Sequence, residues 1–520
     1  MSISLSGAAL IAFDPESQRV RDLVETAAKV GEKNPTLWGV EAAPEAAVRL
    51  NWVDLPLSSR DLLPELDALS AWARSHNLSN VILCGMGGSS LAPEVIGKTF
   101  GKKLSVLDST DPAQIRAAIP ADLKNSVIVV GSKSGSTIET ASQKALFTEL
   151  LITAGLKPED HIVIVTDPGS PLDQSARASG LRTINADPNV GGRYSALSAF
   201  GLVPAALLGV DVSLLLDDAA AAAATFTEPN SVAVVLADLL FSQTDQSIAF
   251  FDDGSNVPGI SDWIEQLVAE STGKNQTGRL PIVIESSDSP VAGRALTVGF
   301  SSGVHADLVV TGSLGEHFIL WEWVTALLSR ALAIDPFNQP NVTEAKERTG
   351  EILSSWSDGQ VIQPQAAFEN EVLAFYADEP ADSLLAGLQK FFISPTHYVA
   401  IMAYLARGID DEILKTRAII ANKTNRGTTF GWGPRFLHST GQFHKGGQHN
   451  GAFLQITGES KEDLAIPGKN FGFHTLLMAQ ALGDGAALGS RAFPLVRVHL
   501  KDRERGIAEL LKALSALEEI

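Results

Sequence analysis

Cysteine is almost absent from this sequence, which has one, Cys84, in 520 residues. A single thiol excludes an internal disulfide framework and any zinc or iron–sulfur site built from several cysteines. No run of about 18 uninterrupted apolar residues occurs, so no membrane-spanning helix is predicted. The amino-terminal residues lack the basic flank and cleavage pattern of a signal peptide. We therefore expect a cytoplasmic protein without a membrane partner.

Positive charge is also scarce, because 60 acidic residues face 40 Lys and Arg and the formal net charge is −20. A protein of this charge repels phosphates at long range, which argues against sequence-independent binding to nucleic acid. If the protein binds a phosphorylated ligand, the attraction has to be local. Oriented backbone N–H groups, hydroxyls and a few Lys or Arg side chains would supply it.

Hydrophobic residues make up 45% of a chain of 520 residues, which is too long for one hydrophobic core. Short β-branched runs alternate with helix-like stretches, and this rhythm predicts an α/β fold with parallel sheets. The predicted strands fall into two groups: 81–83, 104–107, 127–130 and 162–165, then 248–251, 282–284 and 308–310.

The pattern divides the chain into four parts. Residues 1–75 are predicted as a helical extension that caps the fold and is not a catalytic module. Residues 76–228 are predicted as a first sheet domain and 229–500 as a second, with a loop or insertion near 354–382. Residues 501–520 are predicted as a C-terminal amphipathic helix.

A glycine-rich turn, Gly85-Met86-Gly87-Gly88-Ser89-Ser90, follows the first predicted strand directly. Its glycines let backbone N–H groups approach an anion at the start of the next helix. The same turn also fits a dinucleotide-binding fingerprint, since Asp108 ends the next strand, where a ribose-binding acid would stand. A nucleotide-dependent dehydrogenase is therefore an alternative for this segment.

A second turn follows the third predicted strand, where Ser132, Ser134 and Thr137 surround Gly135 at the start of a helix. Several hydroxyls beside a glycine suit the oxygens of a terminal phosphomonoester. A dehydrogenase does not need this turn. The alternatives are a Ser- and Thr-rich helix cap that binds no ligand, with Lys133 as a solvated charge.

With these two turns, the sequence resembles the phosphoglucose isomerases, which are built from two sugar-isomerase (SIS) domains. GGRYSALS at 191–198 is similar to one family signature, and FNQP at 337–340, followed by Lys346, is similar to another. ESTGK at 270–274 resembles the segment that bears the family's catalytic base. The resemblance implies two flavodoxin-like, doubly wound parallel-sheet domains with helical extensions at both ends.

The resemblance also implies an activity and the residues that carry it. The expected reaction interconverts D-glucose 6-phosphate and D-fructose 6-phosphate in glycolysis and gluconeogenesis, without metal or cofactor. Glu270 is implied to move the proton between C2 and C1, and Arg193 to stabilise the enediolate, while Lys346 lies on the ring-opening side. The implied substrate-binding residues are Gly88, Ser89, Ser132, Lys133, Ser134, Thr137 and Gln339.

Aldose–ketose isomerisation requires residues of these types. One carboxylate suffices as the base, because a planar cis-enediol takes its proton back on the same face. A guanidinium suits the developing oxyanion because it does not lose its proton. Opening the cyclic sugar needs a further acid and base, for which His and Lys are suitable.

The ring-opening histidine departs from the pattern of the family's short bacterial form, which has it shortly after the base. Here that interval holds LPIVIE at 280–285, and a similar segment, RFLHSTGQFHKGG at 435–447, lies near the carboxyl end. The arrangement most closely resembles the isomerase part of bacterial transaldolase–isomerase fusions. We predict His438 for ring opening, with His444 and His449 as alternatives.

Other readings remain open at this stage. Three neighbouring histidines could form a metal site, but no nearby Cys, Asp or Glu completes a ligand set. The family's second signature is imperfect, because Thr343 stands where a Glu is usual. The chain could be an isomerase that also accepts mannose 6-phosphate, or a sugar-phosphate sensor without turnover. The family further implies a homodimer whose site borrows a histidine from the neighbouring subunit.

Overall fold

A computed structural model of the chain describes residues 2–291, 293, 295–356 and 361–519. Its β-strands are β1 (Ser4–Ser6), β2 (Asn80–Gly85), β3 (Leu104–Leu107), β4 (Ser126–Gly131), β5 (Ile162–Thr166), β6 (Arg182–Asn185), β7 (Ser247–Phe251), β8 (Leu280–Val283), β9 (Leu296–Gly299), β10 (Leu308–Thr311), β11 (Phe368–Glu369), β12 (Leu373–Tyr376), β13 (Tyr398–Tyr404), β14 (Gly427–Trp432), β15 (Gly451–Gly458) and β16 (Leu495–Leu500). The predicted α/β class with mainly parallel sheets is confirmed.

Helices connect and cover these strands. They are α1 (Gln18–Gly31), α2 (Ala43–Ala47), α3 (Leu55–Ser58), α4 (Leu63–Ser75), α5 (Leu91–Thr99), α6 (Pro112–Ala118), α7 (Ile138–Thr153), α8 (Pro171–Ala178), α9 (Ala199–Leu207), α10 (Val212–Ala223), α11 (Val232–Phe241), α12 (Ile260–Thr272), α13 (Leu314–Ala331), α14 (Thr343–Ser355), α15 (Leu384–Phe392), α16 (Lys415–Thr424), α17 (Gly441–Gly446), α18 (Phe473–Gly489) and α19 (Arg503–Ser515). Across the described residues, no helix combines the length and apolar character that a bilayer crossing requires.

The first sheet has the strand order β3-β2-β4-β5-β6, and all of its neighbours are parallel. The chain leaves β2 toward β3 on one side and then returns to β4 on the other. The topological switch point therefore lies between β2 and β4, where ligands bind in open parallel sheets. Both turns singled out in the sequence emerge there, since one follows β2 and the other follows β4.

The second sheet has the order β1-β10-β9-β7-β8 and is parallel except at β1. Its switch point lies between β7 and β9, and α12 follows β7 directly. Strand β1 comes from the N-terminal extension, which was predicted as helical only. It pairs antiparallel with β10, from Ser4 opposite Thr311 to Ser6 opposite Val309, and so covers an otherwise open sheet edge.

A third sheet, in the order β11-β12-β16-β15-β13-β14, lies within residues 368–500, where the sequence predicted only two sheets for the whole chain. Strands β13 and β15 are buried along their full length. A strand buried on both faces loses its alternation of polar and apolar residues and cannot be told from a buried helix by periodicity. Strands β4 and β5 are equally buried but were predicted from continuous β-branched runs, which β13 and β15 lack.

The segment near 354–382, predicted as a loop or insertion, contains β11 and β12, which form an antiparallel edge of the third sheet. Helix α14 extends into it as far as Ser355. Residues 357–360 lie outside the described part of the chain. The predicted C-terminal helix corresponds to α19, which packs against the third sheet through buried Ile507, Leu510 and Leu514. The four domain boundaries stay a prediction.

Candidate functional site

One cavity of about 480 Å³ gathers residues from distant parts of the chain. Both predicted turns, the loop before α9, the end of α12, the start of α14 and the loop after β14 contribute to its walls. The predicted site residues that line it are Gly88, Ser89, Ser132, Lys133, Thr137, Arg193, Glu270, Gln339, Lys346 and His438. Ser134 does not line it; its hydroxyl hydrogen-bonds the Ser136 hydroxyl at 2.7 Å.

Two glycines let three segments of the cavity wall converge. A Cβ on Gly88 would overlap the carbonyl oxygen of Gly192, so the first turn touches the loop that carries Arg193. Gly87 has a φ of +55°, and a Cβ there would lie 2.7 Å from the carbonyl oxygen of His438. Any larger residue at these positions would push the segments apart.

The second turn leaves hydroxyl groups at the start of a long helix. Thr137 occupies the N-cap position of α7, yet its side chain makes no capping hydrogen bond. Ser132 Oγ accepts a hydrogen bond from the backbone N–H of Gly135 at 3.1 Å. The free N–H groups and the dipole of the α7 N-terminus favour an anion at this place.

The Lys133 ammonium is already engaged by the protein. It lies 2.9 Å from an Asp167 carboxylate oxygen and donates a hydrogen bond of 2.8 Å to the carbonyl of Val190. Burial lowers the pKa of Lys133, and the ion pair with Asp167 offsets this only in part. The Lys133 ammonium therefore has little free donor capacity for a ligand. Its contribution to the cavity is mainly its position in the turn.

Glu270 and Arg193 meet inside the cavity, where Glu270 Oε1 lies 3.2 Å from Arg193 Nη1. Their side chains are 9% and 5% exposed. Gln266, one turn earlier on α12, donates a hydrogen bond of 3.1 Å to Glu270 Oε2. Each carboxylate oxygen thus has a partner, which a nearly buried charge requires.

Arg193 is fixed by several further hydrogen bonds. Its Nε donates to Ser271 Oγ at 2.9 Å, and its Nη2 donates to the carbonyls of Pro336 at 2.5 Å and Asn338 at 3.1 Å. The guanidinium therefore holds the loop that precedes Gln339 and stays beside the carboxylate. Such an arrangement is preorganised to stabilise a negative charge that develops next to Glu270.

His438 forms a second side-chain pair at the cavity, and its backbone carbonyl accepts a hydrogen bond of 2.8 Å from Gln266 Nε2. Its Nε2 hydrogen-bonds Glu139 Oε1 at 3.0 Å, and Gln480 Nε2 donates to the same oxygen at 2.7 Å. Burial raises the pKa of Glu139, but the hydrogen bond and charge of His438 outweigh it, so the net shift is below the usual range. The ionised carboxylate orients the imidazole, whose Nδ1 makes no hydrogen bond to any described residue.

The other two candidate histidines lie elsewhere. His444 is buried, stacks on Tyr398 and shares a hydrogen bond of 3.3 Å with its hydroxyl. Burial lowers the pKa of His444 to about 3, so it stays neutral. His449 stacks on Phe493 with ring centroids 4.0 Å apart and does not line the cavity. Of the three, only His438 lines this cavity of its own chain.

Lys346 lies on the first turn of α14, is exposed, and makes no hydrogen bond within the described residues. It lies near enough to Glu139 for its charge to help lower that carboxyl's pKa. Glu344, one place late in the family's second signature, faces away from the cavity and contacts Arg348 at 2.8 Å and Arg491 at 2.6 Å. Lys346 therefore lines the cavity although the second signature is imperfect.

Two alternative readings of the sequence can be compared with this geometry. Asp108, the candidate ribose-binding acid, is 2% exposed, lies 3.3 Å from Arg435 and does not line the cavity. It is therefore an ion-pair partner and is not open to a ribose. Across the described residues, no group of three or more His, Cys, Asp or Glu side chains is arranged to hold a metal ion.

Several residues in and around the cavity had received no role from the sequence. Gln266 had a local signal, because it lies four residues before Glu270 on one helix face. Glu139 lies two residues after Thr137, at the start of α7. Glu45, Arg49 and Gln480 had no signal, since they join the others only through long-range folding.

Comparison with known proteins agrees with the geometry. Residues 66–293 match the family model described as phosphoglucose isomerase. A probable glucose-6-phosphate isomerase of Haloquadratum walsbyi is 32% identical over 212 residues, 39% of this chain and 49% of that protein. A glucose-6-phosphate isomerase of Carboxydothermus hydrogenoformans is 30% identical over 254 residues, 44% of this chain and 54% of that protein. The chain thus spans about half the length of the curated relatives it matches.

A similar fold occurs in a solved structure. The crystal structure of a glucose-6-phosphate isomerase from Chlamydia trachomatis superposes with a TM-score of 0.55 at 18% sequence identity. The match covers 69% of this chain and 90% of that one. At this identity the likeness concerns the fold alone.

Proposed function

We propose that this chain, which belongs to the phosphoglucose isomerase family, interconverts D-glucose 6-phosphate and D-fructose 6-phosphate. One observation carries the proposal: Glu270 and Arg193, separated by 3.2 Å, share a cavity with the hydroxyl-lined turn at 132–137. A base and a fixed cation at one end and an anion site at the other match a sugar that bears a terminal phosphate. The names of the relatives support the same substrate.

In this proposal the substrate phosphate binds at the N-terminus of α7. Ser132, Thr137 and Ser89 supply hydroxyls, and the turn supplies the backbone N–H of Gly88. These local dipoles overcome the repulsion from a chain with a net charge of −20. Binding the phosphate at one end places the sugar carbons beside Glu270.

Ring opening falls to His438 and Lys346, which line the same cavity. The imidazole, oriented by Glu139, exchanges a proton with the ring oxygen, and Lys346 lies at the same wall to assist at the anomeric hydroxyl. A histidine suits this task because its charge changes near neutral pH. The open-chain aldose then has a carbonyl at C1 and an acidic proton at C2.

The isomerisation step uses Glu270 as base. Its carboxylate takes the proton from C2, the electron pair forms the C1–C2 double bond, and the former carbonyl oxygen carries the negative charge. Arg193 stabilises that oxyanion. Glu270, whose proton exchanges in part with solvent, then protonates C1, while the proton of the C2 hydroxyl moves to the C1 oxygen and C2 becomes the new carbonyl carbon. A positioned base of this kind contributes about 10²- to 10⁴-fold to the rate.

The wider biology is proposed from the family. We propose a role in glycolysis and gluconeogenesis, in the cytoplasm, with a homodimer as the assembly. The catalytic set proposed here comes from one chain, so the dimer would not be needed to complete the site.

The direct test is turnover by the full chain. Fructose 6-phosphate is supplied and glucose 6-phosphate is measured with an excess of a coupling dehydrogenase, with mannose 6-phosphate assayed in parallel. The proposal predicts rapid formation of glucose 6-phosphate. Mannose 6-phosphate turnover at a similar rate would indicate a dual isomerase. Tight binding of sugar phosphate without turnover would indicate a sensor and overturn the proposal.

A further inference from the structure

The N-terminal extension, predicted as a cap outside the catalytic module, places two charged side chains in the cavity wall. They are Glu45 on α2 and Arg49 just beyond it. We propose that Arg49 is a cationic contact for the substrate phosphate and that Glu45 weakens this contact by competing for the guanidinium. This inference rests on the proposed function for the identity of the ligand, but only the phosphate group is needed for its test.

Contacts between the N-terminal extension and residues 187–190 fix the position of Arg49 beside the cavity. The residue after it, Leu50, forms an antiparallel bridge with Val190, and Asn51 Nδ2 donates to Asp187 Oδ2 at 2.8 Å. Arg49 Nη1 itself donates to the carbonyl of Pro188 at 3.1 Å. The extension is thus attached to the loop that leads into Gly191 and Arg193.

The position of Arg49 is close to the predicted phosphate-binding turn. Lys133 from that turn donates to the carbonyl of Val190, the residue that bridges to Leu50. The two cations therefore contact the same short loop. Burial is the main reason that the pKa of Lys133 is lowered, and the charge of Arg49 contributes to the same shift.

Arg49 also has donor capacity that the other cations at this end lack. Arg193 is committed to Glu270, Ser271 and two backbone carbonyls, and Lys133 to Asp167 and Val190. Arg49 Nε contacts Glu45 Oε1 at 2.8 Å, whereas its Nη2 makes no hydrogen bond within the described residues. With 28% of its side chain exposed, the guanidinium can turn toward an anion in the cavity.

The salt bridge between Arg49 and Glu45 makes Glu45 the counter-ion of the Arg49 guanidinium. Glu45 is 39% exposed and lines the same cavity, so its carboxylate competes with an incoming phosphate for the guanidinium. Charge-assisted bonds between guanidinium and phosphate are among the stronger polar contacts. Removing Arg49 should weaken phosphate binding, and removing the charge of Glu45 should strengthen it.

The test uses three variants of the full chain, Arg49→Gln, Glu45→Gln and the control Arg21→Gln on the exposed face of α1. Inorganic phosphate is the probe, and its Kd is measured by titration calorimetry. We expect Arg49→Gln to raise the Kd about tenfold and Glu45→Gln to lower it about threefold. Arg21→Gln should match the unaltered chain. For fructose 6-phosphate, Arg49→Gln should raise KM by a larger factor than it lowers kcat.

The opposite signs separate a ligand contact from a structural clip. If Arg49 only ties the extension to residues 187–190, both changes would weaken phosphate binding or both would leave it unaltered, and either result would overturn the proposal. Absence of phosphate binding by the unaltered chain would also overturn it. If phosphate binding behaves as expected but no sugar phosphate is isomerised, the proposed function fails while the assignment of Arg49 stands.

Discussion

The proposed base side of the cavity, Glu270 and Arg193, and the proposed ring-opening side, His438 and Lys346, differ in burial and in hydrogen bonding. On the base side, Arg193 and Glu270 are 5% and 9% exposed, and Arg193 donates to backbone carbonyls as well as to the carboxylate. On the ring-opening side, His438 is 16% exposed and has one hydrogen-bonding partner for its ring, and Lys346 is exposed with no hydrogen bond to the described residues. The base side is thus held by more hydrogen bonds than the ring-opening side.

The difference fits the chemistry assigned to each wall. Stabilising a developing oxyanion requires fixed charges that need no reorganisation during the reaction. Opening a ring requires groups that take up and release protons, which a partly exposed imidazole does more readily than a buried one. The predictions below test whether the two walls differ in this way.

The largest effect is expected on the base side, from Glu270→Gln. Loss of the only positioned base should lower kcat about 10³-fold or more while sugar-phosphate binding persists. The matched control is Glu265→Gln on the same helix, outside the cavity. Burial raises the pKa of Glu265 well above its usual value, and the amide keeps the size and shape of the carboxyl group. Equal loss of kcat in both variants would show that the effect is structural.

A smaller loss is expected from Arg193→Lys, which keeps the charge but loses the planar fork. The account predicts a fall in kcat of about 10²-fold, because one lysine cannot reach Glu270, Ser271 and two carbonyls at once. The control is Arg417→Lys, since Arg417 makes two short contacts to Glu285, at 2.7 and 2.6 Å, away from the cavity. That variant should lose unfolding free energy, measured by denaturant titration, but retain kcat.

On the ring-opening side, His438→Asn should slow turnover of cyclic sugar phosphate by up to about 10²-fold. Because ring opening also occurs in solution, the loss should be smaller than for Glu270→Gln. The variant is assayed alone and after mixing with Glu270→Gln. The account predicts no recovery of activity on mixing, as each chain carries its own histidine. Recovery of a substantial fraction would show that the site is shared between chains.

The smallest effect concerns buried histidines away from the cavity. His317 and His444 are fully buried, and burial lowers the pKa of each to about 3. Between pH 6.5 and 3 the unfolded chain binds more protons, so stability is complete above pH 6.5 and falls as the pH is lowered. Each group should reduce the unfolding free energy by about 1.4 kcal/mol per pH unit.

Denaturant titrations at pH 7.0 and 5.5 measure this effect, with His317→Leu as the comparison variant. The slope of stability against pH should become shallower in the variant, because one neutral buried histidine has been removed. An unchanged slope would show that His317 is not a source of the pH dependence.

The sequence predicted the parts of the site that depend on local pattern. The turns after β2 and β4 lie where short motifs predict them, because a glycine or serine turn at a strand end is a local property. Glu270 and Arg193 were assigned through motifs, and the fold brings them to one cavity. The roles assigned to these residues stay predictions until they are tested by substitution.

What the sequence could not predict depends on contacts between distant segments. Gln480 reaches Glu139 across 341 residues, and no pattern in either segment indicates this contact. The third sheet was missed because β13 and β15 are buried on both faces and also lack the continuous β-branched runs of β4 and β5. Arg49 was overlooked because the helical spacing of its segment carries no information about which cavity the segment faces.

The most direct test of the central claim is proton exchange at C2. Fructose 6-phosphate is converted in D₂O, and deuterium at C2 of the glucose 6-phosphate formed is measured by NMR spectroscopy. The account predicts deuterium at C2 with the unaltered chain and with Glu265→Gln, and none above background with Glu270→Gln. Product formed without any deuterium, or equal incorporation with Glu270→Gln, would contradict it.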